Sequence, residues 1–237
     1  MEAIMLTTAV LNSKGGSGKT TLTTNLAGYY ASQGFYTVIE DYDPQGSSSD
    51  WLKHRPFSKE PIHGITAHAS NTRATKAWQL RLPSNTQRLI VDTPAGIDLY
   101  KLSTVLKGVD RILVPVSPSP IDIRATALFI RELHGFLRMY PSRARIGVVA
   151  NRVQKESPTY YAMQRIFSNL DINFVAVLSQ NDNYMQAAEH GVSVLELSNS
   201  GSECDKQEWL SLIDWLEADS RPKFKQPSLA VVPNQNT

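Results

Sequence analysis

Short runs of Val, Ile and Leu alternate with stretches of helical apolar spacing along most of the 237 residues. Runs of this kind, without an in-and-out alternation, characterise strands buried on both faces. They predict strands at Ile4 to Leu11, Thr37 to Asp41, Ile65 to Ala69, Arg88 to Asp92, Arg111 to Val116, Ile146 to Ala150 and Phe174 to Leu178. Apolar positions three and four apart predict helices at Lys19 to Gln33, Arg73 to Leu82, Leu99 to Lys107, Ile121 to Met139, Thr159 to Asn169, Tyr184 to His190 and Cys204 to Ala218. Gly34 stops the first helix and Pro141 lies just past the long one. Strand and helix taking turns predicts an α/β fold: a single doubly wound, mostly parallel sheet with helices on both faces. Residues 1–219 are expected to form this one domain, with nothing ahead of the first strand. Pro222, Pro227 and Pro233 interrupt the remainder, so 220–237 reads as a flexible tail.

Composition narrows the function classes only a little. There are 24 Lys+Arg against 22 Asp+Glu, so the formal charge of +2 leaves a local basic stripe as the route to any nucleic acid. The single cysteine, Cys204, excludes an internal disulfide and a cysteine-ligated zinc or iron–sulfur site within one chain. A reducing, cytoplasmic setting is expected. Met1 to Met5 lacks a basic leader, and no apolar run approaches the roughly 20 residues of a membrane helix. The five histidines have no metal spacing and are expected in packing or surface roles.

The chemistry begins where the first strand runs into Asn12-Ser-Lys-Gly-Gly-Ser-Gly-Lys-Thr-Thr21 and a helix follows. Clustered glycines let backbone N–H groups close around phosphate oxygens, and the helix adds its positive end. Lys19 is placed to reach the β- and γ-phosphates, and the Thr20 hydroxyl to ligate Mg²⁺. The strict pattern G-x-x-x-x-G-K-[ST] has glycine where this chain has Ser13. Two further strands end in carboxylates, at Glu40-Asp-Tyr-Asp-Pro44 and at Asp92-Thr-Pro-Ala-Gly96. In a parallel sheet those ends share the edge of the phosphate loop. Glu40, within an apolar strand, needs an edge, a partner or a proton.

Lys14 before Gly15-Gly16, followed by Ser17, Gly18, Lys19, Thr20 and Thr21, resembles the deviant Walker-A P-loop NTPases of the ParA/MinD family. Their motif carries an extra lysine at the position of Lys14. The resemblance implies an ATP-sandwich homodimer in which Lys14 touches the partner's nucleotide. It also implies that Asp43 orients or deprotonates the attacking water, that Asp41 and Asp43 support the Mg²⁺ shell, and that Asp92 holds Mg²⁺ through water. Pro94, Ala95 and Gly96 resemble the turn that senses the γ-phosphate. Asn151, at a strand end, is in the position of the family's adenine-reading asparagine, and an amide with a donor and an acceptor suits that task. Arg152 beside it reads equally well as a nucleotide contact or as a turn residue. Pro115, Pro118 and Pro120 fall where the family builds part of its dimer face, and each also fits a plain turn before a helix.

The resemblance covers Leu6 to about Leu195, and absences choose among its branches. There are no cluster cysteines for the nitrogenase iron-protein branch, no basic amphipathic terminal helix for the septum-site branch, and no tyrosine-rich tail for the tyrosine kinases. The small ParA type remains. It implies a cytoplasmic, nucleoid-associated Mg-dependent ATPase that dimerises on ATP and binds DNA without sequence preference. With a ParB-like or McdB-like activating partner it positions a plasmid, a chromosome region or a protein assembly, away from the membrane. Candidate DNA contacts are Arg138, Arg143, Arg145, Arg152, Lys155, Arg165, Arg221, Lys223 and Lys225. The rival expectation is a metabolic ATP-dependent enzyme acting on a small molecule; a third is a nucleotide-gated scaffold that never touches DNA.

Overall fold

The computed structural model describes residues 5–68, 82–96, 98–100, 103–106, 108–140, 142–198 and 202–218. Its strands are β1 (Leu6–Val10), β2 (Thr37–Asp41), β3 (His63–Thr66), β4 (Arg88–Asp92), β5 (Arg111–Val116), β6 (Arg145–Val153) and β7 (Phe174–Ser179). They form one sheet in the order β3-β2-β4-β1-β5-β6-β7, and every pairing is parallel. The expected mostly parallel sheet is thus parallel throughout the described residues. After β1 the chain winds out to β3, returns to β4 and continues through β5 to β7 on the other side. Connections therefore diverge above β1, where doubly wound sheets hold ligands.

The helices are α1 (Lys19–Ser32), α2 (Ser47–Lys53), α3 (Ser103–Leu106), α4 (Pro120–Met139), α5 (Pro158–Ser168), α6 (Asn183–Glu189) and α7 (Ser202–Glu217), with a 3₁₀ turn at Val194–Glu196. Two apolar layers cover the sheet. Phe129, Leu133 and Phe136 of α4 and Met163 and Phe167 of α5 pack on one face, against Ala9, Ile112 and Val114. Leu22, Leu26 and Tyr30 of α1 and Trp209, Leu212 and Leu216 of α7 pack on the other, against Val10, Ile39 and Ile90. β1, β2, β4 and β5 are buried along their whole length, as their unbroken apolar runs require.

Some elements differ from expectation. β3 starts at His63 and β6 runs on to Val153. The helix expected over Leu99 to Lys107 is described only as α3. That expected at Arg73 to Leu82 falls outside the described residues apart from Leu82, as does the tail. α2 was not foreseen, because Ser47-Ser-Ser-Asp50 carries no apolar period; left-handed Gly46 opens it and buried Trp51 anchors it. Glu40 finds its partner: Oε1 accepts the Tyr42 hydroxyl at 3.0 Å, while burial pushes its pKa up.

Two polar frames hold the layers. Arg55, just past α2, makes a fork-on-fork pair with Glu196 at 2.9 and 3.0 Å, both side chains no more than 5 % exposed. Gly28 of α1 lies so close to this pair that a Cβ would fall 2.7 Å from Glu196 Oε2. α7 is tied at both ends. Near its start Asp205 accepts from Asn181 and Asn183, and Glu208 accepts from Ser179 N and Oγ and pairs with Lys155. At its far end Arg111 donates to the Leu216 and Ala218 carbonyls, and Arg88 pairs with Glu217.

Candidate functional site

The phosphate loop leaves β1 at Leu11, and Asn12 fixes its course. The Asn12 amide is fully buried and donates to the Pro115 carbonyl at 2.7 Å and to Thr126 Oγ1 at 3.0 Å. Its oxygen accepts from Lys14 N at 3.0 Å, so one side chain ties the loop to β5 and α4. Gly16 and Gly18 adopt left-handed φ values of 73° and 99°, which a side chain would oppose. A Cβ on Gly18 would also fall on the Asn151 amide. Gly18 is the N-cap of α1 and supplies no side-chain cap, so the first N–H groups of a 14-residue helix open toward the loop. Ser13, the departure from the strict pattern, uses its carbonyl to accept from Gly96 N at 2.9 Å and so docks the loop on the turn after β4.

Lys19 is buried and its Nζ donates to the Lys14 carbonyl at 3.2 Å. Burial pushes its pKa down, against the pull of Asp92 and Asp43. Thr20 Oγ1 donates to Asp92 Oδ2 at 3.0 Å. Asp92 and Asp41 are register partners on β4 and β2, which sets two buried carboxylates side by side. Burial and then Asp41 raise the Asp92 pKa to about 6, against the hydroxyls of Thr20 and Ser48 and the charge of Lys19. Its Oδ1 is buried without a hydrogen-bond partner. Asp41 is occupied differently: it accepts from Asp43 N and from Ser49 N and Oγ, at 2.7 to 3.0 Å. It thereby shapes the turn that carries Asp43, whose Oδ1 accepts from Gln45 N at 2.9 Å.

These residues enclose a cleft of about 540 Å³ lined by Gly15, Gly16, Gly18, Lys19, Thr20, Thr21, Asp43, Pro44, Gln45, Ser47, Pro94, Ala95 and Arg152. Ser17 lies beneath it, buried, its hydroxyl donating to the Lys14 carbonyl. Asn151 is buried too and donates to the Ser17 carbonyl at 2.9 Å, leaving its oxygen for another donor. Arg152, at a left-handed φ of 55°, donates to the Gly16 carbonyl at 3.2 Å. Lys14 does not line the cleft; its amine lies 4.0 Å from Asp122 Oδ1, in a half-exposed pair. Of the prolines, Pro115 offers its carbonyl to Asn12 from within β5 and Pro120 opens α4.

The residues that sequence reasoning missed are those that brace others. Asn12 opens the loop ahead of the phosphate-binding residues, and Ser49 sits in a helix that the apolar pattern does not predict. Among the basic candidates, Arg138, Arg143 and Arg165 are exposed, Arg145 lies over the Trp215 ring, and Lys155 is held by Glu208. Arg221, Lys223 and Lys225 fall outside the described residues. No helix among the described residues is long and apolar enough to cross a membrane.

The family described as the CobQ/CobB/MinD/ParA nucleotide binding domain matches residues 8–194. The maintenance of carboxysome distribution protein A of Halothiobacillus neapolitanus is 29% identical over 197 residues, covering 82% of this chain and 89% of that protein. Its namesake in Gloeobacter kilaueensis is 29% identical over 215 residues, covering 90% and 94%. Among solved structures, an ATP complex of a Cyanothece McdA variant superposes with a TM-score of 0.69 at 16% identity, covering 89% of this chain and 97% of that one. The MinD cell division protein of Aquifex aeolicus gives 0.67 at 20% identity, covering 92% and 99%. At these identities the structures share the fold.

Proposed function

Since this chain belongs to the CobQ/CobB/MinD/ParA nucleotide-binding family, we propose that it is an ATP-hydrolysing dimerisation switch of the ParA type that positions a cargo on the nucleoid. The observation that carries this reading is the position of Lys14, whose amine points out of its own cleft toward Asp122 at 4.0 Å instead of lining the phosphate site. A cation on the rim is available to the nucleotide of a second protomer.

The residues fit ATP and Mg²⁺. Backbone N–H groups from Gly15 to Thr21 and the Lys19 amine would hold the phosphates. Thr20, Asp92, Asp43 and Asp41 would serve the cation directly or through water. The buried, unpartnered Asp92 Oδ1 is a lone acceptor that a hydrated cation would satisfy, and one or two carboxylates beside phosphates is how Mg²⁺ is usually bound. When bound, Mg²⁺ neutralises charge on the phosphate oxygens. Asp43, braced by Gln45 N, orients the water that attacks. The free oxygen of Asn151 accepts from the adenine amine, and Arg152 keeps the Gly16 peptide in place. Turnover is slow until a ParB-like or McdB-like partner engages the dimer. DNA is held through phosphates by exposed arginines, in a salt-sensitive way. The relatives named for carboxysome distribution favour a protein assembly as the cargo.

Sizing by light scattering with ADP or ATP plus Mg²⁺, for the wild type and Asp43→Ala, tests the switch. The expected result is a dimer in ATP alone, trapped by Asp43→Ala and retained on duplex DNA at low salt. A monomer in both nucleotides overturns the reading. The rival, a metabolic enzyme, has one observation in its favour. A second hollow of about 420 Å³, lined by Trp51, His54 and Tyr184 among others, shares Thr20, Thr21 and Ser47 with the phosphate cleft. ATP consumption that requires an added small molecule and yields a modified product would establish that rival.

A further inference from the structure

A hollow larger than the phosphate cleft opens on the underside of the sheet, where β2, β3 and β4 begin. Its volume is about 870 Å³, and it lies between the turn from α1 into β2, the start of β3 and the segment ahead of β4. Met5, Phe35, Tyr36 and Ile62 give it an apolar lining, of which Tyr36 is 37 % and Met5 40 % exposed. Glu60 also lines it, and its carboxylate has neither hydrogen bond nor ion pair with a described residue. Gln87 uses its side-chain oxygen to accept from Tyr36 N at 2.9 Å, which leaves its amide N–H groups for another acceptor. Aromatic and aliphatic walls with amide donors and one unpaired carboxylate suit an extended, basic segment that brings an apolar side chain of its own.

The end of α7 arrives beside this hollow. Glu217 pairs with Arg88 at 3.1 Å, and the Arg88 guanidinium lies 3.9 Å from the centre of the Phe35 ring, itself part of the hollow's wall. Arg111 holds the Ala218 carbonyl, which fixes the point where the described chain ends. Beyond it the sequence reads Asp219-Ser-Arg-Pro-Lys-Phe-Lys-Gln-Pro227. Six residues lead from Ala218 to Phe224, enough to span about 20 Å when extended. Pro222 and Pro227 each bias the residue before them toward extended backbone, and in an extended chain an aromatic ring points away from the lysines on either side of it.

We propose that residues 219–227 of this chain fold back over the underside and dock in the hollow, with the Phe224 ring against Phe35, Tyr36 and Ile62 and the flanking Lys223 and Lys225 at the Glu60 carboxylate. Charge and reach select this occupant. Glu60 repels a nucleic-acid backbone, and residues 1–4, which lead to Met5, bring the like-charged Glu2 and no aromatic ring. A segment tethered beside its site meets it at an effective concentration of the order of millimolar, which a separate molecule of the same composition does not reach. The hollow lies on the face opposite the phosphate loop and its test needs no nucleotide, so the proposal stands or falls separately from the ATPase reading.

Amide hydrogen exchange of the full chain without nucleotide, read by mass spectrometry at residues 34–36 and 60–63, tests the docking. Phe224→Ser is expected to speed exchange there about tenfold, as the loss of one buried aromatic side chain should. Equal exchange in the two chains overturns the proposal. Glu60→Lys should speed it likewise, and adding Lys223→Glu and Lys225→Glu to that variant should slow it again. A charge-reversed chain that exchanges as fast as Glu60→Lys alone also overturns the proposal. Photocrosslinking identifies the occupant without any change to the fold: with p-benzoylphenylalanine in place of Phe224, illumination is expected to join position 224 to peptides containing Phe35 and Tyr36 or Ile62 of the same chain. A crosslink of doubled mass, which marks a second copy, or one to any other part of the surface sinks the proposal.

Discussion

Asn12 concentrates three hydrogen bonds in one buried amide, and no other side chain in the loop is so committed. Replacing it by alanine would strand the Lys14 N–H, the Pro115 carbonyl and the Thr126 hydroxyl, at a cost of about 1–3 kcal/mol for each group left buried and unpaired. Asn12→Ala should therefore lower the midpoint of urea unfolding and weaken binding of a fluorescent ATP analogue. The two lysines of the loop separate as cleanly. Lys19 is buried over the cleft and Lys14 is turned away from it. Lys19→Ala should abolish nucleotide binding; Lys14→Ala should keep it and lose the ATP-dependent dimer, a contrast that calorimetry and light scattering read together. Lys19 was legible in the sequence because phosphate binding calls for it at a fixed spacing, and Lys14 because the family motif that the loop resembles carries a lysine there. Asn12 and Ser49 were not, because the Asn12 amide finds its partners 103 and 114 residues away and Ser49 itself sits in a helix without apolar period.

At the scale of elements, apolar runs gave the central strands to within a residue or two, since burial on both faces leaves little else at those positions. The sequence was silent on polar contacts that join elements far apart along the chain. The joint between α2 and the 3₁₀ turn is such a place, where Arg55 crosses to Glu196 and also reaches the Gly191 carbonyl. Removing one partner leaves the other charge buried and alone. Arg55→Ala should therefore destabilise by about 3–5 kcal/mol in urea unfolding, whereas replacing Arg55 and Glu196 together by apolar residues of similar volume should recover much of the loss.

Across the whole molecule, the parallel sheet gathers the carboxyl ends of β1, β2 and β4 along one edge, and with them the phosphate loop, Asp43 and Asp92. The opposite edge is where Arg88 and Arg111 receive the last turn of α7. Because α7 is fastened near its start to the loops after β6 and β7 and at its end to the beginnings of β4 and β5, its 16 residues run the height of the sheet, about 24 Å at 1.5 Å per residue. A fluorophore attached at Ala218 would thus sit on the underside, remote from bound nucleotide. It would report tumbling and assembly of the particle while leaving the upper rim clear for whatever the protein embraces.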